Sequence, residues 1–240
     1  MKNEPTADSR PQPIVYVIDD DRSVRAALED LLASVGLQVR SYSSVAEFLE
    51  SSMPDAPGCL LLDVRMPGQS GIDFHRQMPE YGIHLPTIFI TGHGDITMGV
   101  NAIKNGAFEF LTKPFRDQDL LDAIQQAIEK DRRRRESEAR SLDLNARWET
   151  LTPGERDVFK LVVKGLLNKQ IAADLNVSEI TVKVRRSHLM QKMQAKTIID
   201  LVRMSDSLSV RSSLPMKDPR SIMWKAVPHR STRQTPSIPV

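Results

Sequence analysis

The sequence predicts two domains in series. An α/β domain with a five-stranded parallel sheet spans residues 13–125, and a smaller all-α domain spans residues 147–205. Three observations carry this. Short apolar runs alternate with helical patterns through the first stretch. The second stretch contains only helix-starting signatures and 3.6-residue periodicity. The charge also divides: residues 1–118 hold 10 Lys and Arg against 16 Asp and Glu, whereas residues 119–240 hold 23 against 15. An acidic front and a basic back imply different partners, with a polyanion expected at the back.

Ile14–Ile18 (IVYVI) is apolar throughout, as a strand covered on both faces of a parallel sheet must be. A helix pattern follows from Arg22, with Val24, Leu28, Leu31 and Val35 on one face and Gly36 at its end. Leu37–Ser43 reads as a second strand, and Ser44–Glu47 has the form of a capping box. Leu60–Leu62 is a third strand ending in Asp63, and Ser70–Asp73 has the form of another capping box. Thr87–Thr91 is a fourth strand, followed by a helix from about Thr97 to Lys104. Ala107–Leu111 is a fifth strand, and a last helix opens near Asp117. Cys59, the single cysteine, lies in the apolar run GCLLLD and reads as a small buried hydrophobe.

In open α/β sheets the site lies beyond the carboxyl ends of the strands. There the sequence places Asp19, Asp20 and Asp21 after the first strand, Asp63 after the third, Thr91 after the fourth, and Thr112 and Lys113 after the fifth. Carboxylates gathered at one rim repel each other and call for a cation, and hard oxygen donors suit Mg2+. A divalent cation beside a carboxylate, a hydroxyl and an ammonium is a place to put a phosphoryl group. Each residue alone also has an ordinary reading. Asp21 fits the N-cap of the first helix, His93 reads as a polar loop residue in preference to a catalytic base, and His75 and His84 show no metal-ligand spacing.

The segments IDDD, LLLDVRMPGQSG, FITGHGD and FLTKPF resemble the receiver domain of bacterial response regulators, a flavodoxin-like fold. The resemblance implies that Asp63 is the phosphoacceptor and that Asp19, Asp20, Asp63 and the carbonyl of Arg65 hold Mg2+. It also implies that Thr91 is the switch hydroxyl, Lys113 the phosphate-pairing cation and Phe110 the aromatic that reorients. The Lys113–Pro114 bond is a cis candidate, with trans the default.

From about Asp119 to Arg147 the chain reads as one polar helix without Pro or Gly, and residues 126–146 form a linker. Its apolar stripe ends near Ile128. The run DRRRR is flanked by acids at i, i+4 spacing, which suits a solvated helix; partial coiled-coil pairing stays open. Beyond it, Thr152–Glu155 is a capping box with Pro153 at the first helical position. Asn168–Leu175 is a short helix, and Ser178 caps a third helix with Val182, Leu189 and Met193 on one face. Thr197–Asp200 caps a fourth. The pattern alone fits either a helix-turn-helix reader or a small bundle with a solvated basic face.

The segment LTPGERDVFKLVVKGLLNKQIAADLNVSEITVKVRRSHLMQKM resembles the DNA-binding domain of the NarL/FixJ (LuxR-type) family. The resemblance implies a helix-turn-helix with Lys183, Val184 and Ser187 facing the DNA groove, and Thr181, Arg185 and Arg186 near the DNA backbone. Gly154 stands where an Arg is common, and Arg185 where a His is common. Residues 206–240, rich in Ser, Pro and Arg, predict a tail without a packed core.

Together the two resemblances imply a two-component transcriptional regulator. A sensor histidine kinase phosphorylates Asp63, and the chain then dimerises on double-stranded DNA. An aspartyl-phosphate phosphohydrolase would carry a second Asp two residues after the nucleophile, where this chain has Arg65. A phosphate-blind or ligand-sensing receiver is opposed by the full set of Asp19, Asp20, Asp63, Thr91 and Lys113. The polar N-terminus lacks a signal-peptide core, and no apolar stretch approaches ~18 residues, so the expected location is the cytoplasm.

Overall fold

The computed structural model describes residues 11–92 and 96–212. His93 and the sequence beyond residue 212 lie outside the described residues. The chain separates into two compact units, divided after Leu142.

The first unit is a five-stranded, wholly parallel sheet: β1 (Ile14–Ile18), β2 (Gln38–Tyr42), β3 (Gly58–Asp63), β4 (Thr87–Thr91) and β5 (Glu109–Thr112), in the spatial order β2-β1-β3-β4-β5. The central strands β1, β3 and β4 are buried at every position, as their unbroken apolar runs require. Connecting them are α1 (Arg22–Ser34), α2 (Val45–Glu50), α3 (Gly71–Gln77), a 3-10 turn (Met78–Tyr81) and α4 (Ile96–Lys104). One face packs Phe48, Phe74 and Phe89 around Leu60 and Leu62. The other packs Leu32, Ile88 and Ile90 with Leu120 and Ile124, and encloses Cys59. Burial pushes the Cys59 thiol far above its ordinary pKa.

Local signals act as predicted at several joints. Asp21 is the N-cap of α1, accepting from the Ser23 amide at 2.7 Å. Ser44 caps α2, although Glu47 reaches back to Ser43 and not to the Ser44 amide. Ser70 forms no side-chain cap on α3: its hydroxyl donates to the Val64 carbonyl, and Asp73 pairs with Arg76. α1 buries Leu28 and Leu32, leaving Val35 exposed.

The last helix, α5, runs unbroken from Asp117 to Glu149. Its surface carries the expected ladders, Arg133 to Glu129 and Arg134 to Glu138. The buried stripe, however, continues past Ile128 to Asp131, a fully buried acid. Asp131 accepts from the backbone amide of Gly58 at 3.0 Å and pairs with Arg134 and Arg135, each at 2.7 Å. Arg135 goes on to Asp55. A buried carboxylate is tolerated because every lone-pair direction finds a donor.

The second unit contains α6 (Pro153–Val163), α7 (Asn168–Asp174), α8 (Glu179–Lys192) and α9 (Ile198–Ser212). Val158, Val162, Ile171, Val182, Leu189, Met193 and Leu201 form its core, with Trp148 edge-on to Phe159. α6 opens with the predicted capping box, Thr152 with Glu155, and Asp200 and Thr197 cap α9 reciprocally. α9 extends seven residues past the expected limit, because Met204 and Leu208 continue the Leu201 face against the core.

Replacing Asp131 with Ala strips Gly58, Arg134 and Arg135 of a common acceptor. The arginines stay partly hydrated, so the expected loss is about 2 kcal/mol, read by urea denaturation of the full chain. Asp131→Asn, which keeps an acceptor for Gly58, loses less.

Candidate functional site

Strand register brings the predicted residues to one rim. Ile18 lies opposite Leu62, so Asp19 follows β1 at the level where β3 ends in Asp63. Asp63 pairs with Ile90, one residue before Thr91, and Thr91 pairs with Thr112, one before Lys113. The Lys113 amide donates to the Thr91 carbonyl at 2.8 Å, and the Lys113–Pro114 peptide is cis.

The Lys113 ammonium lies between two carboxylates, 2.7 Å from Asp19 and 3.2 Å from Asp63. Asp19, Asp63 and Thr91 are buried, whereas Asp20 is exposed. Asp63 also accepts from the Arg65 amide at 2.7 Å, and Asp19 from the Asp21 amide at 2.9 Å. Desolvation holds the Asp63 carboxyl above its ordinary pKa; the Arg65 N–H and the Lys113 charge oppose this, and Asp19 adds to it. For Lys113, burial favours the neutral amine, but the hydrogen bond and charge of Asp19, with those of Asp63, outweigh it and raise the pKa.

Sequence reading missed three supports. The Arg25 guanidinium, reaching back from α1, donates to the carbonyls of Asp19 (2.7 Å) and Asp20 (3.1 Å) and so fixes the acidic loop. Gly71 seats α3 against the end of β3: a Cβ there would stand 2.1 Å from the Asp63 carbonyl oxygen. Gly99 on α4 makes room for the half-buried Phe110 ring, which a Cβ would meet at 3.0 Å. Only Arg25 carried a signal, being a cation on the first helix turn beyond an acidic strand end.

Among the described residues, no three His, Cys, Asp or Glu side chains already form a cation cage. The donor chemistry nonetheless suits Mg2+. The carboxylates of Asp19, Asp20 and Asp63 are oxygen-only donors, and two of them share a single ammonium.

In the second unit, α7 and α8 meet at a tight turn in which Asn176 takes a positive φ of 50°. Ser178 caps α8, accepting from the Thr181 amide at 3.1 Å. Lys183, Val184 and Ser187 are exposed on α8, and Thr181 is half-buried on its flank. Arg185 and Arg186 are also half-buried and have partners within the domain. Arg186 donates to the Asn168 side chain at 2.8 Å, and Arg185 packs on Gly154. The resemblance implies that both lie near the DNA backbone; at three and four residues beyond Val182 they fall on the flanks of the buried stripe.

An acid-lined parallel α/β unit followed by a helix-turn-helix unit defines a class of switchable DNA-binding proteins. Residues 15–125 match the response regulator receiver domain, and residues 149–205 match the bacterial regulatory proteins of the luxR family. The chain is 52% identical over 200 residues to "Nodulation protein W" of Bradyrhizobium diazoefficiens, covering 83% of this chain and 88% of that protein. It is 46% identical over 197 residues to "Response regulator protein TmoT" of Ectopseudomonas mendocina, covering 82% and 90%. Among solved structures, the response regulator StyR aligns with a TM-score of 0.75 at 44% identity, over 82% of this chain and 99% of that one. The chain therefore belongs to the response regulators that join a receiver to a LuxR-type helix-turn-helix. It is a DNA-binding transcriptional regulator of a two-component system.

Because the folded state holds the Asp63 proton to higher pH than the unfolded chain does, stability falls as pH rises from the ordinary aspartate range through the raised value. Asp63→Asn is therefore expected to melt at a higher temperature than wild type at neutral pH. The difference should close near pH ~4, as followed by thermal unfolding across pH.

Proposed function

We propose that Asp63 accepts a phosphoryl group from a phosphohistidine of a sensor kinase, and that the phosphorylated chain dimerises to bind DNA through α8. The convergence of Asp19 and Asp63 on the Lys113 ammonium, at the carboxyl ends of β1 and β3, supports this most strongly.

The Arg65 amide holds one Asp63 oxygen and so orients the carboxylate. A carboxylate oxygen attacks phosphorus, an O–P bond forms and the N–P bond to the kinase imidazole breaks, with its electron pair returning to that nitrogen. When bound by Asp19, Asp20, Asp63 and the Arg65 carbonyl, Mg2+ supplies the positive charge that offsets the phosphoryl oxygens. Lys113 turns from the carboxylates toward the new phosphoryl group, and the Thr91 hydroxyl donates to one of its oxygens. The movement of Thr91 frees space that the Phe110 ring, adjoining Gly99, can enter.

That rearrangement alters the face of α4 and β5, where Val100 and Ile103 are exposed, and this face pairs two receivers. Pairing sets two α8 helices on half-sites about one helical turn apart, with Lys183, Val184 and Ser187 toward the major groove and Thr181 beside the backbone. Coupling of about 1–3 kcal/mol suffices for such a switch. A kinase donor and a chromosomal target together entail a cytoplasmic protein. Among the described residues, no helix is long and apolar enough to cross a membrane.

Incubation of the full chain with Mg2+ and acetyl phosphate is expected to add one phosphoryl group by intact mass. The adduct should be absent from Asp63→Asn and from Mg2+-free samples, and about a hundredfold slower to form in Lys113→Ala. A folded wild-type chain that gains no mass overturns the phosphoacceptor assignment. Thr91→Ala is expected to accept the group yet remain monomeric by sedimentation.

A further inference from the structure

Gly154 and Arg185, the two places where the chain departs from the family pattern noted above, meet in space. A Cβ on Gly154 would stand 2.7 Å from the Arg185 Cζ, 2.9 Å from Nη1 and 3.0 Å from Nε, so the guanidinium lies directly against the glycine. Nothing in the backbone asks for glycine there. Gly154 is the second residue of α6, it lacks a positive φ, and glycine is a poorer helix former than alanine. What the glycine supplies is a seat for a flat, weakly hydrated guanidinium.

Among the described residues, no acid pairs with Arg185. The nearest in sequence to its seat, Glu155, is engaged by Lys192 at 2.7 Å and by the Thr152 amide at 2.8 Å. Arg185 lies three residues after buried Val182 and four before buried Leu189, on the inner flank of α8, whereas Lys183, Val184 and Ser187 are exposed. We infer that Gly154 is a positioning residue for DNA binding: it seats Arg185 against α6 and so withholds that charge from the DNA backbone. This rests on α8 being the reading helix.

Filling the seat displaces the far end of a flexible side chain, and the freed guanidinium can then reach a phosphate. The test measures binding of the phosphorylated full chain to a duplex that the wild type selects from a random library, by fluorescence anisotropy across a KCl series. Gly154→Ala is expected to bind about fivefold tighter, with a log-affinity against log-salt slope steeper by about 0.9, the signature of one added phosphate contact. Arg185→Ala is expected to match wild type in affinity and slope, and to abolish the gain when combined with Gly154→Ala. An Arg185→Ala variant with weaker binding and a shallower slope makes the seated arginine a phosphate contact and overturns the inference, as does a Gly154→Ala variant identical to wild type. Lys183→Ala separates this failure from that of the reader: unchanged binding there removes α8 from the DNA and takes the inference with it.

Discussion

Two like charges held side by side govern the first unit. Asp19 and Asp63 are brought level by the register of β1 and β3, buried, and given one ammonium between them. Carboxylates so placed do not stay together unless the backbone compels them. The compulsion comes from strands buried at every position, from Arg25 clamping the loop after β1, and from α3 seated without a side chain against the end of β3. Burial first, and the neighbouring Asp19 to a lesser degree, hold the Asp63 carboxyl above its ordinary pKa. A poorly solvated carboxylate with a perturbed pKa at a strand end is the kind of group that marks a functional site.

The second unit has a much smaller core, and α6, α8 and α9 each carry a side-chain N-cap. Thr152 with Glu155, Ser178, and Thr197 with Asp200 satisfy helix ends that a larger apolar interior would otherwise have to fix. Glu155 shows how tightly these roles are combined. It completes the cap of α6 and also anchors Lys192 at the end of α8, which holds its carboxyl below the ordinary range despite burial. α6 and α8 are therefore joined by a polar contact as well as by the packing of Val158 and Leu189.

How much could be read in advance follows from which forces act locally. β1, β3 and β4 were legible as apolar runs because both their faces are covered, and the strand-end residues followed from topology. Asp131 was not legible, because a buried acid on a charged helix looks like any other until β3 supplies the Gly58 amide, 73 residues away in sequence. The Ser70 cap failed for a similar reason: the close approach of Gly71 to Asp63 fixes the start of α3, and the Ser70 hydroxyl turns to Val64 instead. Arg185 and Arg186 look like solvent-facing charges in a basic run, and only the three-dimensional positions of Gly154 and Asn168 reveal their internal partners. α9 outran its expected end because a serine-rich surface concealed Met204 and Leu208.

The burial of Cys59 has an experimental consequence. It is the chain's single thiol and stands in the middle of β1, β3 and α5 packing, protonated and shielded from solvent. A thiol reagent can therefore reach it only when the sheet parts, so the rate of labelling counts openings of the first unit alone, with no background from other cysteines. The native chain thus carries its own reporter of sheet breathing, and ligands that tighten the acid cleft should be visible as a slowing of that reaction.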